Sequence, residues 1–132
     1  MKRNLFSVIA LLATSTLVGI NTPANATSSS YQKSCNHISV YGNVLSASCS
    51  RSNGSFNKTS IELRGIENIN GTLQVTDPGK ASNYQFSCQR IRIRGNYLKA
   101  ACKKRDGTLQ WTSTVLQGIE NIEGNLKYTS SP

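Results

Sequence analysis

The five-residue stretch Gly65-Ile66-Glu67-Asn68-Ile69 occurs again without a change as Gly118-Ile119-Glu120-Asn121-Ile122. The second occurrence lies 53 positions after the first, and the same offset aligns further positions on both sides of it. A long match in one constant register is the signature of a duplicated supersecondary unit. The sequence therefore predicts two copies of one unit, at about residues 31–75 and 84–128, joined by a hinge at residues 76–83.

The four cysteines follow the same duplication. Cys35 and Cys49 are 14 positions apart, as are Cys88 and Cys102. Four cysteines allow three connectivities; two copies of one unit most simply each close their own pair, while crossed pairing between the copies stays open. Each closed loop would stabilise the fold by about 3 kcal/mol. A zinc site is disfavoured because there is no Cys-x-x-Cys pair and His37 is the only histidine, so we predict neither a metal nor another cofactor.

Each cysteine pair brackets a predicted hairpin. Arg90-Ile91-Arg92-Ile93-Arg94 alternates between charged and apolar side chains, the period of a half-buried strand. Gly95-Asn96 is a two-residue turn signal. Strict register leaves Cys88 one position away from facing Cys102, so we expect a bulge or a diagonal bridge. The predicted cross-strand pairs are Ile93 with Leu98, Ile91 with Ala100, Arg94 with Tyr97 and Arg92 with Lys99, and, in the first copy, Val40 with Leu45 and Ile38 with Ala47.

The rest of each copy is predicted as a further strand pair, which makes the fold class all-β. In the first copy, Ser60–Leu63 and Gly71–Val75 flank an expected turn around Glu67-Asn68. No segment shows a sustained helical period, so any helix should be a single turn. The expected places for one are 65–68 and 118–121. Residues 27–30 are predicted to be a loose end.

The N-terminal residues have the pattern of a secretory signal peptide. Lys2 and Arg3 precede an apolar run from Leu5 to Ile20, and Pro23-Ala24-Asn25-Ala26 has the small residues of a cleavage site. We therefore predict a signal peptide at residues 1–26, a single domain at residues 27–132, and a secreted or periplasmic protein. Export places the cysteines in an oxidising compartment. No later segment is apolar enough to span a membrane.

The net positive charge of the chain favours acidic binding partners. The formal net charge is +9, and removing Lys2 and Arg3 would leave +7. A basic surface attracts nucleic acid, anionic lipid or acidic glycans. The second copy carries a stripe of arginines with no counterpart in the first, where His37, Ser39 and Tyr41 stand instead. One function hypothesis is therefore a basic surface-binding protein for acidic polymers, using Arg90, Arg92, Arg94, Lys99 and Lys103 to Arg105.

Catalysis is disfavoured by the sequence. Glu67 and Glu120 are the obvious carboxylate pair, but each occupies the same place in its copy. A catalytic acid and base need different environments that separate their pKa values. His37 lies in a predicted strand, where a solvent-facing position explains it. We predict that the protein is not an enzyme.

The motifs of both copies resemble the cyanovirin-N homology family of small lectins. The resemblance covers about residues 31–128, nearly all of the predicted mature chain, and includes both cysteine pairs. The stretches that carry it are Ser34-Cys35, Cys49–Gly54, Ser60–Leu63, Ile66–Leu73, Cys102–Arg105 and Asn121–Tyr128.

The resemblance implies a pseudo-symmetric all-β fold in which the two repeats exchange strands. It also implies binding of mannose-rich oligosaccharides or glycoprotein glycans at two non-identical sites, without a metal. A hinge of this length favours a monomer. Because strand exchange and a hinge permit domain swapping, a domain-swapped dimer is the alternative.

The two implied sites are each assembled from both copies. By position, one site uses Lys33, Ser34, Ser50, Ser52, Asn121 and Glu123, and the other uses Glu67, Asn68, Asn70, Asn83, Ser87, Lys103, Lys104 and Arg105. The chain departs from the family pattern at Ser50, where an acid is usual, at Lys33, at Asn70 and at Gly107. Lost acceptors weaken the recognition of individual hydroxyls, so we expect the second site to be the stronger one.

Overall fold

The computed structural model describes residues 27–130 and shows a fold built almost entirely of β-strands. The predicted signal peptide at residues 1–26 lies outside the described residues. Two single 3₁₀ turns, Tyr31–Lys33 and Tyr84–Phe86, precede the first cysteine of each copy. The strands are β1 Cys35–Tyr41, β2 Val44–Ser50, β3 Phe56–Glu62, β4 Ile66–Ile69, β5 Thr72–Val75, β6 Cys88–Arg94, β7 Tyr97–Lys103, β8 Leu109–Val115, β9 Ile119–Ile122 and β10 Asn125–Tyr128.

The strands form two equivalent sets, as the duplication predicts. Strands β1, β2 and β3 make one antiparallel sheet, and β6, β7 and β8 make its counterpart. Strands β4 and β5 form a separate hairpin, as do β9 and β10. The predicted turn at Gly95-Asn96 connects β6 to β7, and its counterpart at Gly42-Asn43 connects β1 to β2. Four predicted cross-strand pairs are confirmed: Val40 with Leu45, Ile93 with Leu98, Arg92 with Lys99 and Arg94 with Tyr97.

A β-bulge in the first strand of each sheet brings the cysteines face to face. The register shifts between Gln89 and Arg92, so the predicted regular pairing of Ile91 with Ala100 does not occur. The same shift in the first copy removes the predicted pairing of Ile38 with Ala47. The bulge was expected from the sequence because strict register misaligned the cysteines. The disulfides are Cys35–Cys49 and Cys88–Cys102, each with a Cα–Cα distance of 4.0 Å, so each copy closes its own pair.

The predicted turn around Glu67-Asn68 is wrong, and so are the single-turn helices at 65–68 and 118–121. These residues form strands β4 and β9, and the hairpin turns lie at Asn70-Gly71 and Glu123-Gly124. All four turn residues have positive φ, from 48° to 90°. Two-residue hairpin turns require this backbone conformation, for which asparagine–glycine is the preferred sequence. Strand β3 pairs with β2 and not with the segment at Gly71–Val75, which was the predicted partner.

The two copies exchange their hairpins. The β9–β10 hairpin of the second copy packs on β3 of the first, where Asn57 Nδ2 donates to the Gly124 carbonyl at 2.8 Å. The β4–β5 hairpin of the first copy packs on β8 of the second, where Gln110 Nε2 donates to the Gly71 carbonyl at 3.0 Å. These two contacts are the same contact repeated at an offset of 53 residues, from Asn57 to Gln110 and from Gly71 to Gly124. The strand exchange implied by the family resemblance is thereby confirmed.

The first residue of each copy, and the segment that precedes the first copy, also contact the other copy. Tyr31 is fully buried and donates its hydroxyl hydrogen bond to the carbonyl of Gly95, and Tyr84 does the same to Gly42. Ser29 is 2 % exposed, and its hydroxyl accepts the backbone N–H of Ile119 at 2.9 Å. The prediction of a loose end at residues 27–30 is therefore wrong, because this segment supplies buried partners to backbone groups of the second copy.

One core joins both copies. Its large members come from both three-stranded sheets and from both exchanged hairpins, which gives a single cluster rather than two. Within residues 27–130, no helix has the length and apolar character to cross a bilayer. The large buried apolar side chains are Tyr31, Leu45, Leu63, Ile66, Leu73, Tyr84, Leu98, Leu116, Ile119 and Leu126, with the disulfides in the same cluster.

Candidate carbohydrate-binding sites

The side chain of Asn68 ties the exchanged hairpin of the first copy to the second copy. Its Nδ2 donates to the Ser87 hydroxyl and to the Lys103 carbonyl, both at 2.9 Å. Its Oδ1 accepts the backbone N–H of Gly71 at 2.7 Å, which closes the hairpin turn. One amide group therefore fixes three segments: the β4–β5 turn, the segment before Cys88 and the end of β7.

A shallow depression of about 320 Å³ lies at this junction. Asn70 lies in the turn of the hairpin, and its Oδ1 accepts the backbone N–H of Arg105 at 2.9 Å. The cations Lys103, Lys104 and Arg105 give the depression a positive rim. Its lining residues are Asn68, Ile69, Asn70, Ser87, Lys103, Lys104 and Arg105. We call this depression the second site.

The loop that follows Lys103 is held in a fixed shape. Lys104 donates its backbone N–H to the Thr108 carbonyl at 2.8 Å. The hydroxyl and the backbone amide of Thr108 donate to the Asp106 carboxylate at 2.6 and 2.9 Å. These hydrogen bonds, and the nearby charge of Lys104, hold the pKa of the Asp106 carboxyl below its ordinary value. A fixed loop presents its polar groups without first losing conformational entropy on binding.

The equivalent junction at the other end of the molecule uses Asn121. Its Nδ2 donates to the Ser34 hydroxyl and to the Ser50 carbonyl, both at 2.9 Å. Its Oδ1 accepts the backbone N–H of Gly124 at 2.7 Å. Glu123 stands where Asn70 stands in the second site, and its carboxylate accepts the Ser52 hydroxyl at 3.1 Å. We call this junction the first site.

The two sites therefore share a framework and differ in charge. Each framework consists of one asparagine amide, one serine hydroxyl and one main-chain carbonyl drawn from both copies. The first site places serines, the carboxylate of Glu123 and one cation, Arg51 beside Gly124, around this framework, whereas the second site places three cations around it. Such sets of fixed donors and acceptors can bind several sugar hydroxyls at once.

The comparison with known proteins decides the family. Residues 31–127 match the CVNH domain, the domain of the cyanovirin-N homology family, and this range spans both copies and both disulfides. The chain belongs to the CVNH family. CVNH proteins are carbohydrate-binding lectins and not enzymes.

Solved structures of CVNH proteins have the same fold. TbCVNH of T. borchii is 25% identical over 76% of this chain and 99% of its own, with a TM-score of 0.65. Microvirin, solved as a complex with mannobiose, is 29% identical over 74% of this chain and 96% of its own, with a TM-score of 0.59. The MoCVNH3 variant Mo0v, solved with (N-GlcNAc)4, is 18% identical over 76% and 97%, with a TM-score of 0.64, and it shows likeness of fold alone.

The structure does not bring every predicted site residue into these frameworks. The Glu67 carboxylate accepts a hydrogen bond from Thr76, and its counterpart Glu120 accepts one from Thr129. Asn83 is exposed before the 3₁₀ turn and uses its backbone N–H to bind the Ile66 carbonyl. Lys33 is exposed beside Ser34. No group of three or more His, Cys, Asp or Glu side chains capable of holding a metal occurs between residues 27 and 130.

Sequence reasoning missed Phe86 as a candidate residue. It directly precedes Ser87 and leaves 84% of its surface exposed. The duplication offered the signal, because Phe86 lies 53 positions after Lys33, which was included in the first site. An exposed aromatic ring beside polar groups is the surface against which the apolar face of a sugar ring packs.

Proposed function

We propose that this CVNH protein is a secreted lectin that binds mannose-rich oligosaccharides at two non-identical sites without a metal. The observation that carries the proposal is the repeated asparagine framework: Asn68 with Ser87 and Lys103, and Asn121 with Ser34 and Ser50. Each framework draws its groups from both copies, so each site exists only in the exchanged fold.

The contents of the two sites support different affinities. In the first site, Glu123 already accepts the hydroxyl of Ser52, and Ser50 supplies no carboxylate. In the second site, the cationic side chains of Lys103, Lys104 and Arg105 surround the depression and can donate to sugar oxygens. Charged donors make stronger hydrogen bonds than neutral ones. We therefore infer that the second site binds more tightly.

We favour mannose as the ligand class because, of the three CVNH structures named above, microvirin is the most similar to this chain in sequence. Microvirin was solved with mannobiose and is 29% identical to this chain. The variant solved with (N-GlcNAc)4 is 18% identical. Chitin oligosaccharides are therefore the competing ligand class, and a test has to include both.

Export through a cleaved signal peptide completes the proposal. It is supported by the basic, apolar and small-residue order of residues 2–26. The two disulfides of the folded chain are bonds that persist in an oxidising compartment. N-terminal sequencing of the exported protein would be expected to begin at Thr27.

A glycan array followed by calorimetric titration tests the binding. We expect saturable binding to oligosaccharides with mannose ends, two sites of unequal affinity, and no change on addition of a chelator. Asn68→Ala should abolish the tighter site and Asn121→Ala the weaker one, so each variant is the matched control for the other. Absence of binding to every neutral glycan at high protein concentration would refute the proposal, and preferential binding of chitin oligosaccharides would refute its mannose specificity.

A further inference from the structure

The outer face of the sheet formed by β6, β7 and β8 carries side chains that the other sheet lacks. Arg92, Lys99 and Ser113 are neighbours in one row across the three strands. Arg94 and Tyr97 pair in the next row. These five residues line a groove of about 530 Å³. None of them belongs to the two lectin sites.

Trp111 joins the same face. It lies two residues before Ser113 on β8, and side chains two apart in a strand point to the same side. The Lys99 Nζ lies 5.1 Å from the centroid of the Trp111 ring, and the guanidinium carbon of Arg92 lies 5.9 Å from it. Both distances are within the range of cation–π attraction. The ring therefore holds the two cations in place. Because Trp111 is itself 47% exposed, this cluster lies at the protein surface.

We call Arg92, Arg94, Tyr97, Lys99 and Trp111 the cationic face. Its positive charge is uncompensated, because no acidic side chain lines its groove. Within residues 27–130, the one ion pair joins Lys80 to Asp77 and lies elsewhere. Uncompensated charges of one sign on a surface attract a polyanion and raise its association rate.

The duplication shows that the fold does not need these charges. At the equivalent positions of the first sheet, Ser39 stands for Arg92, Ser46 for Lys99 and Lys58 for Trp111. That sheet has the same strand order and the same bulge. The cationic face is therefore an addition made by the second copy to a framework that folds without it.

We propose that the cationic face binds linear acidic polysaccharides, which carry sulfate or carboxylate groups, at a location separate from both lectin sites. Guanidinium groups bind such oxyanions through two parallel hydrogen bonds. Arg92 and Arg94 lie two residues apart on an extended strand, about 7 Å, so they can contact successive anionic groups of one chain. Tyr97, which is 52% exposed and pairs with Arg94 on the neighbouring strand, offers an apolar surface to a sugar ring beside that arginine.

The arrangement favours a polysaccharide over single-stranded nucleic acid. Binding of single strands relies on several aromatic platforms on which successive bases stack. Here the two cations occupy space over the Trp111 ring, which leaves Tyr97 as the aromatic side chain free of cations on this face. The cationic face is thus built for recognition of charge along a chain.

The test measures binding of the whole protein, from Thr27 onward, to dextran sulfate, polygalacturonate and neutral dextran at increasing salt. We expect binding to one or both polyanions and not to neutral dextran. The logarithm of the association constant should fall linearly with the logarithm of the salt concentration. Arg92→Ser/Lys99→Ser installs the side chains of the first sheet. It should lower polyanion affinity at least tenfold and reduce the salt slope by about two charges, with the folded near-ultraviolet spectrum retained.

A matched control removes the same charge elsewhere. Lys58→Ser/Lys127→Ser changes two exposed lysines outside the cationic face and should leave most of the polyanion affinity intact. Equal losses in the two double variants would overturn the proposal, because net charge alone would then explain binding. Tighter binding of an oligothymidylate than of either polyanion would also overturn it in favour of nucleic acid, as would absence of polyanion binding at low salt.

Transfer of the cationic face to the first sheet tests the proposal by a gain of binding, which a misfolded variant would not show. Ser39→Arg/Tyr41→Arg/Val44→Tyr/Ser46→Lys/Lys58→Trp copies all five residues of the cationic face onto the equivalent positions of the first sheet. We expect a second polyanion site and a doubled stoichiometry at saturation. An unchanged stoichiometry with a folded variant would contradict the proposal that these five residues form the polyanion site.

Discussion

At the scale of single residues, two asparagine side chains hold together the junctions at which we propose that sugars bind. Asn68 makes three hydrogen bonds across the junction of the two copies, and Asn121 makes the same three at the other end. Because one such hydrogen bond contributes about 0.5–1.5 kcal/mol, and the bonds to Ser87 and Lys103 are exposed, we expect Asn68→Ala to lower the free energy of unfolding by about 2 kcal/mol. Denaturant unfolding measures this loss, and calorimetry measures the accompanying loss of sugar binding.

Asn68→Asp separates the two roles of this side chain. A carboxylate can still accept the Gly71 N–H, so the hairpin turn should persist. It cannot donate to Ser87 or to the Lys103 carbonyl, so the bridge should be lost and sugar binding with it. Wild-type affinity in this variant would contradict the role given to the bridge.

The bulge residues make a second prediction at this scale. Arg90 has φ of 55° and its counterpart His37 has φ of 51°, a conformation that costs a non-glycine residue about 1–2 kcal/mol. Glycine avoids that cost but loses about 0.5–1 kcal/mol in chain entropy. Since Arg90 is exposed, we expect Arg90→Gly to raise the free energy of unfolding by about 0.5 kcal/mol. His37→Gly is the matched variant, and a loss of stability in both would show that these side chains stabilise the bulge.

At the scale of elements, local pattern predicted the strands better than their partners. The alternation of Arg90–Arg94 and the turn at Gly95-Asn96 are local signals, and the hairpin that they predicted is confirmed. The asparagine–glycine pair at Asn70-Gly71 is an equally local turn signal, but the prediction places the turn at Glu67-Asn68. It also pairs Ser60–Leu63 with the next strand along the chain, whereas β3 pairs backward with β2.

The 3₁₀ turns carry the two tyrosines that lock each hairpin, and they make stability depend on pH. Burial raises the pKa of the Tyr31 and Tyr84 hydroxyls well above the ordinary value of 10.0, and a smaller contribution comes from Tyr128. Folding therefore favours the protonated hydroxyl. This stability is fully present below about pH 10, the pKa of an unfolded tyrosine, and is lost as pH rises above it toward the raised folded pKa.

Thermal unfolding from about pH 8 to about pH 11 tests this dependence. We expect the midpoint of the wild-type protein to fall above about pH 10. Tyr31→Phe and Tyr84→Phe should each be less stable at neutral pH by about 1 kcal/mol, because the carbonyl of Gly95 or Gly42 loses its donor. Each should also show a shallower fall in alkali. An identical alkaline fall in both variants and the wild type would assign the dependence to other groups, such as lysines.

At the scale of the whole molecule, the duplication was readable in the sequence, but the crossing of the copies was not. An offset of 53 residues establishes equivalence, and it says nothing about which copy each hairpin packs against. The contacts that decide this are side chain to backbone, such as Asn57 to Gly124 and Gln110 to Gly71. Asparagine and glutamine at these positions look like ordinary exposed strand residues in sequence. Strand exchange was therefore inferred from family resemblance alone.

The same equivalence extends to the hinge. The Gly65 carbonyl accepts the N–H of Thr76 and the Gly65 N–H binds the Lys80 carbonyl, both at 2.8 Å. At the opposite end, the Gly118 carbonyl accepts the N–H of Thr129 and the Gly118 N–H binds the Thr27 carbonyl, both at 2.7 Å. Thr27 and Thr129 thus occupy the places of Lys80 and Thr76. The two ends differ in connectivity: residues 77–79 join Thr76 to Lys80, whereas no residues join Thr129 to Thr27.

This symmetry predicts that the chain can be circularly permuted. The permuted chain would run from Lys80 to Thr129, continue through Asp-Pro-Gly, copied from residues 77–79, and end with Thr27 to Thr76. Because the new connection spans the geometry that the hinge already spans, we expect a monomer with the disulfides Cys35–Cys49 and Cys88–Cys102 and near wild-type stability. Sizing chromatography, disulfide mapping and denaturant unfolding measure these three properties.

A shorter connection provides the control. Joining Thr129 directly to Thr27 leaves no residues where the hinge has three, so the chain cannot reverse within one molecule without breaking the hydrogen bonds at Gly118. That variant should exchange its halves between two molecules, as short hinges promote, and elute as a dimer. A three-residue permutant that also dimerised, or that failed to form its disulfides, would show that the two ends of the molecule are not equivalent. The hinge would then stabilise the fold in a way that the hydrogen bonds of Thr27 and Thr129 to Gly118 do not.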